Sequence, residues 1–201
     1  MRYDDNHKER TRARVLAEAA AAIRSKGAER VGVAEVMAGA GLTHGGFYAH
    51  FKSKDDLVAQ AITHMFEVSY ARFLSHTEGR EPAAALSNYI DAYLAPSHRD
   101  DRGHGCPIAA LSSDLPNMGE LARARFADGT ERLVTGLAKL LKQLGAKNAE
   151  ALAWSALAEM AGALALSRTV SDPVRSTQIL RNSRAMVRSR LSLDRSTSRG
   201  G

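Results

Sequence analysis

Between Thr43 and Lys54 the chain gathers hydrogen-bond donors and cations at a spacing suited to gripping a nucleic acid. Thr43, His44, Tyr48 and His50 lie on the polar side of a short helical stretch, where they can meet phosphates and base edges. Tyr48 and His50 can donate to phosphate oxygens. Lys52 and Lys54 add attraction that weakens with salt. Gly45 and Gly46 carry no side chain that would hold a duplex away. Phe47 and Phe51, four apart, face the other way and anchor the stretch to a core. Catalytic patterns are missing: there is no nucleophile elbow, no phosphate loop and no pair of carboxylates at motif spacing. An enzyme is therefore not expected, and no cofactor is implied.

A short helix can read DNA only if neighbouring elements hold it. Val33, Val36, Met37 and Ala40 recur at helical spacing and predict a supporting helix. Gly41 supplies the left-handed residue that a tight turn between two helices needs. Leu42 plugs the space between them, and the Thr43 hydroxyl is placed to cap the second helix. Ser53, Lys54, Asp55, Asp56 and Leu57 then cap and open a longer helix. These elements make a helix-turn-helix.

The run Ala40-Gly41-Leu42-Thr43-His44-Gly45-Gly46-Phe47-Tyr48-Ala49-His50-Phe51-Lys52-Ser53-Lys54-Asp55-Asp56-Leu57 resembles the DNA-binding domain of the TetR family of bacterial transcriptional regulators. The resemblance places DNA contacts at Thr43, His44, Gly45, Tyr48, His50, Lys52 and Lys54. One departure stands out. The family places Thr or Ser before the supporting helix, and this chain has Gly32 there, without a side-chain oxygen. That phosphate contact is expected to be absent or made by a backbone amide.

Composition agrees with a polyanionic partner. The chain has 201 residues, 44% of them hydrophobic, and a formal net charge of +6. Residues 1–54 hold ten of the 28 Lys and Arg and six of the 22 Asp and Glu, so the cationic excess concentrates around the helix-turn-helix. Period-two strand patterns are lacking and alanine-rich helical periodicity dominates, which predicts an all-α fold of about nine helices. A single cysteine, Cys106, permits no intrachain disulfide. The sequence shows no signal-peptide pattern and no apolar run of membrane-spanning length, so a cytoplasmic protein with no membrane partner is expected.

The expected organisation is a DNA-binding domain over residues 1–54, a helical regulatory and dimerisation domain over 55–193, and a disordered Ser/Arg/Gly tail over 194–201. Within it, residues 1–7 read as a polar arm and 8–26 as the first helix. A helix begins at Ser53, another at Pro82, and residues 96–105 read as a charged loop. Pro107 opens a short helix, Asn117 caps a long one that Gly145 ends, and residues 147–170 and 173–193 form the last two.

The resemblance implies two further sites. The family binds an effector among its middle helices, and the aromatic and hydroxyl-bearing side chains Met65, Phe66, Tyr70, Phe73, Tyr89, Tyr93, Phe126 and Trp154 are the candidates to line it. They favour a small apolar or aromatic molecule. The family also dimerises through its last two helices. Here these carry small and apolar residues, with Ala161, Ala165, Ile179, Met186 and Val187 as the candidate contacts. A twofold dimer is expected independently from palindromic half-sites. The expected function is thus a dimeric repressor released from a palindromic operator by a small effector.

Two alternatives compete. Cys106 precedes Pro107 at a helix start, near Arg102 and His104, where a thiol is activated; it could sense electrophiles or oxidants. An architectural DNA-binding protein without an effector is the other. His98, Asp100, Asp101, His104 and Cys106 fit no metal-site spacing, so no metal is expected.

Overall fold

Local punctuation sets most of the helix ends. We describe a computed structural model covering residues 2–195. Its elements are α1 (Arg2–Lys26), α2 (Val33–Gly39), a reading helix of 3₁₀ type (His44–Ala49), α3 (Lys54–Thr77), α4 (Pro82–Tyr93), α5 (Pro96–Asp100), α6 (Pro107–Leu111), a 3₁₀ turn (Leu115–Asn117), α7 (Glu120–Gln143), α8 (Ala149–Ser167), α9 (Pro173–Arg190) and a closing 3₁₀ turn (Leu193–Arg195). The fold is all-α, with no strand among the described residues. Gly41 has φ +69° and closes α2: its amide donates to the Ala38 carbonyl at 2.9 Å, and that of Leu42 to Met37 at 2.8 Å. Gly145, at φ +82°, ends α7 the same way. Proline opens α4, α5, α6 and α9, where its missing N–H is not needed. At α9 the Asp172 carboxylate accepts from the amides of Val174 at 2.9 Å and Arg175 at 3.4 Å.

Several expected boundaries move. The polar arm is helical from Arg2, so α1 extends through it. Residues 96–100 form α5 rather than loop. Asn117 closes a 3₁₀ turn, and α7 starts only at Glu120. Leu121, in the first turn of α7, and Leu144, just past its end, are exposed. α8 is, by length and composition, apolar enough to cross a membrane, contrary to expectation, because alanine raises hydropathy without lengthening side chains. Nearly half of it is buried, and it packs extensively on α9. Of the expected tail, Asp194 and Arg195 belong to the closing 3₁₀ turn, and residues 196–201 lie outside the described ones.

The chain forms two compact units that do not follow the expected 1–54/55–193 division. One is Met1–Val68 with Arg102–Gly129; the other is Ser69–Asp101 with Thr130–Gly201. The first has a core of Val15, Ala19 and Ile23 from α1, Met37 from α2, Phe47 and Phe51, Ile62 and Met65 from α3, and Leu111 from α6. Arg24 is sewn into the same unit: 6% exposed, it donates to the Gly103 carbonyl at 2.8 Å. Phe66 meets Phe126 edge-to-face with centroids 5.2 Å apart.

The second unit has Leu86 and Ile90 of α4 with Leu94 at its C-cap, Leu133, Leu137 and Leu141 of α7, Leu157, Met160 and Leu164 of α8, and Leu180 and Val187 of α9 at its centre. Arg168 clamps α5 by donating to the carbonyls of Arg99 at 3.0 Å and His98 at 3.2 Å. Arg99 donates in turn to the Ser176 hydroxyl at 2.8 Å. Arg188 pairs with Asp91 at 3.2 Å and Asp194 at 3.0 Å.

Candidate nucleic-acid interface

The reading helix is six residues long and is held by two rings. Phe47 and Phe51 are buried and stacked, with centroids 5.6 Å apart. Tyr48, between them, is 73% exposed and rests edge-on against Phe47 at 5.2 Å. Such burial of alternate rings fixes which side of the helix faces out. Thr43, His44, Gly45, Lys52 and Lys54 are exposed with Tyr48, and His50 is half-buried. A Cβ added at Gly45 would point into open space, so nothing in the protein itself obliges glycine there. Gly46 faces the Met37 methyl instead.

Thr43 stands at the N-cap position, but its hydroxyl makes no capping bond. The hydroxyl is therefore free of the helix's own amides. Gly32 likewise caps α2 without a side chain, as its identity requires. Ser53 does cap α3. Its Oγ accepts from the Asp56 amide at 3.1 Å, while Asp56 Oδ2 accepts from the Lys52 amide at 2.9 Å. Burial would raise the Asp56 carboxyl, but the Lys52 amide, a hydrogen bond from Gln60 and the charges of Lys52 and Arg12 hold it below its ordinary range. Lys54 donates to the Glu29 carbonyl at 3.1 Å, which extends its side chain across to the loop before α2. Lys26 and Glu35 form an ion pair linking α1 to α2.

α1 buttresses the far side. The Arg12 guanidinium lies 5.3 Å from the Phe51 ring centroid and donates to Gln60 Oε1. Gln60 passes the contact on, donating to Asp56 at 2.7 Å. A relay thus runs from α1 through Gln60 and Asp56 of α3 to the Lys52 amide, three residues past the reading helix. Sequence inspection misses it, since Arg12 and Gln60 are 48 residues apart. The His50 imidazole is shifted below its ordinary proton affinity by burial, with the charges of Lys8 and Arg12 adding to the effect.

The residues expected to line an effector site divide between the units. Met65, Phe66 and Phe126 are buried in the first. In the second, rings follow one another in contact: Tyr70 to Phe73 at 5.6 Å, Phe73 to Tyr89 at 5.0 Å, and Tyr89 to Tyr93 at 5.8 Å. Arg132 lies 3.9 Å over the Tyr70 ring. Trp154 stands apart from this series. It is exposed and lines a cavity of about 1020 Å³ between α7 and α8, together with Lys139, Lys142 and Lys147.

On the last two helices, Ala161 and Val187 face the protomer's own core, Ala165 and Ile179 are half-buried, and Met186 is exposed. The outward face of α8 is instead Ala151, Trp154, Ala158, Gly162 and Leu166. Cys106, which is in no disulfide, is only 4% exposed and precedes a helix of five residues. Burial closes it to the reagents that a sensing thiol must meet.

Comparison with known proteins agrees with this geometry. Residues 15–61 match the family model of bacterial regulatory proteins of the tetR family. Residues 82–184 match the C-terminal domain of LmrA/YxaF-like transcriptional regulators. No curated protein matches the chain by sequence. Among solved structures, a TetR transcriptional regulator from Chloroflexus aurantiacus is 23% identical, with a TM-score of 0.80 over 93% of this chain and 96% of that one. The reduced form of Escherichia coli NemR is 19% identical, with a TM-score of 0.79 over 89% of this chain and 95% of that one. A transcriptional regulator from Rhodococcus sp. RHA1 is 25% identical, with a TM-score of 0.68 over 89% and 96%.

Proposed function

Because the chain belongs to the TetR family of bacterial regulatory proteins, we propose that it is a homodimeric, cytoplasmic repressor that leaves a palindromic operator when a small effector binds. The observation that carries this reading is the sidedness of the reading helix. Two stacked phenylalanines are buried on one side, and Thr43, His44, Gly45 and Tyr48 lie open on the other. In this reading Tyr48, His50, Lys52 and Lys54 hold phosphates, while Thr43 and His44 reach base edges. The test is a binding titration against operator variants at two or more salt concentrations. Tyr48→Ala should weaken binding about equally on all sequences. Lys54→Ala should also lower the slope of log affinity against log salt by about 1. Thr43→Ala or His44→Ala should change the preferred base, an effect of about 1–3 kcal/mol per contact. A Lys54→Ala slope equal to that of the parent protein would remove Lys54 from the phosphate contacts.

The dimer is assigned to the outward face of α8 and α9, with Ala165, Ile179 and Met186 joined by Gly162, Leu166 and Val174. The support is exposed apolar surface: Leu166 is 60% and Met186 63% exposed in the single protomer. Leu166→Glu should yield monomers at micromolar concentration and abolish operator binding, since one half-site alone holds weakly. A variant that stays dimeric by light scattering would place the interface elsewhere.

The effector is assigned to the aromatic series of Tyr70, Phe73, Tyr89 and Tyr93, whose rings offer apolar area and whose phenols offer orientation. A small apolar or aromatic molecule fits that chemistry. Release then follows from tighter binding of the effector to the form of the dimer that DNA does not accept. The buried state of Cys106 disfavours the thiol-sensing alternative.

A further inference from the structure

Lys8 lies outside the helix-turn-helix. It is exposed on α1, one helical turn before Arg12. Arg12 fixes where that turn points: its guanidinium sits on the Phe51 ring, and Phe51 is the neighbour of His50, with ring centroids 6.4 Å apart. Arg12 is itself occupied by Phe51 and Gln60. Lys8 is the next cation along the same face.

The His50 ring supplies the second half. Its Nδ1 is buried without a hydrogen-bond partner. Only Nε2 is left to meet a ligand, and a neutral ring with a bare Nδ1 presents Nε2 as an N–H donor. Burial, with the charges of Lys8 and Arg12 acting in the same direction, lowers the proton affinity of the ring. An N–H donor thus shares its neighbourhood with the Arg12 guanidinium held on Phe51 and, one turn further along α1, the exposed Lys8 ammonium. That combination suits an anion with several acceptor oxygens better than any base edge.

We propose that Lys8 of α1 and Nε2 of His50 together hold one backbone phosphate of the bound DNA, extending the contact surface past the end of the reading helix. The inference rests on the DNA-binding reading above. It assigns α1 a direct grip on DNA in addition to its buttressing role. The phosphodiester is the favoured source of the phosphate because His50 lies in the chain between the exposed Tyr48 and Lys52.

The experiment uses the full-length protein and operator DNA over a range of salt concentrations. Lys8→Ala should weaken binding several-fold at low salt, alike on operator and unrelated DNA, and reduce the salt slope by about 1. Lys8→Arg should restore the slope. His50→Ala should add less in the Lys8→Ala background than in the parent protein, because the two groups share one phosphate. Arg30→Ala, an exposed cation in the same unit, serves as the control. A Lys8→Ala slope equal to that of the parent protein, or a loss no greater than that of Arg30→Ala, overturns the proposal and leaves the DNA-binding reading intact. So does protection of the parent protein against heat by inorganic phosphate, absent in Lys8→Ala, with an unchanged slope on DNA; the site would then take free anions. A parent protein that binds no DNA overturns both readings.

Discussion

Replacing Gly129 with alanine should destabilise the protein by about 2–3 kcal/mol or more, although the site lies inside a long helix where alanine ordinarily gains up to about 1 kcal/mol. A Cβ at Gly129 would fall 2.1 Å from Cγ of Phe66, and 2.4 and 2.6 Å from its two Cδ atoms. These are the root of the ring, so no rotation of a flexible tip relieves the clash. Phe126, one turn earlier on α7, also packs edge-to-face against the ring. Gly136, seven residues on, receives Phe73 similarly but more loosely, with the nearest atom at 2.8 Å. Gly136→Ala should therefore cost less. Denaturant unfolding measures both. Phe66→Leu should recover part of the loss in the Gly129→Ala background while destabilising the parent protein, a sign reversal that only direct contact produces. An unchanged midpoint for Gly129→Ala would mean that the ring has room to move.

Acid should weaken the second unit through His98. Burial lowers this imidazole to about 4, and the nearby charges of Arg72 and Arg168 act in the same direction. The hydrogen bond from Nδ1 to the Tyr93 carbonyl, at 2.7 Å, and the charge of Asp101 oppose them without prevailing. The folded chain thus keeps the ring neutral, while the unfolded chain takes up a proton below about pH 6.5. The unfolded state binds more protons across that window, so stability falls as pH drops from about 6.5 to 4 and changes no further on this account below it. The full loss amounts to about 3 kcal/mol, of which about 2 kcal/mol is already gone at pH 5. His98→Gln should flatten this dependence, whatever its effect at pH 7. Parallel curves for parent and variant between pH 7 and 5 would assign the acid sensitivity to other groups.

The helix-turn-helix was legible because its signals are local. Gly41 needs its positive φ within the turn itself, and Phe47 and Phe51 show their common face by spacing alone. Proline at α4, α6 and α9 is equally self-contained. What escaped reading depends on distant partners. α5 exists where a charged loop was expected because Arg168, some 70 residues away, satisfies its carbonyls. Arg24 looks like an ordinary surface cation at a helix end, and its acceptor on Gly103 lies 79 residues off. α8 is alanine-rich on every side, so periodicity could not separate inward Ala161 from outward Ala158. One missed signal was present. Phe66 and Phe73 are seven apart on α3, as are Gly129 and Gly136 on α7, a matched repeat of bulk and absence.

The reading head is not a cassette. A chimera that transplants only the first 54 residues onto another regulator would leave behind Arg102–Gly129, which belongs to the same compact unit. It would discard the Gly103 carbonyl that receives Arg24, and Leu111 from the core. Changing which operator such a protein recognises is better done by exchanging the outward residues of the reading helix in place. Any larger graft must carry two stretches of chain, cut apart in sequence but folded as one piece.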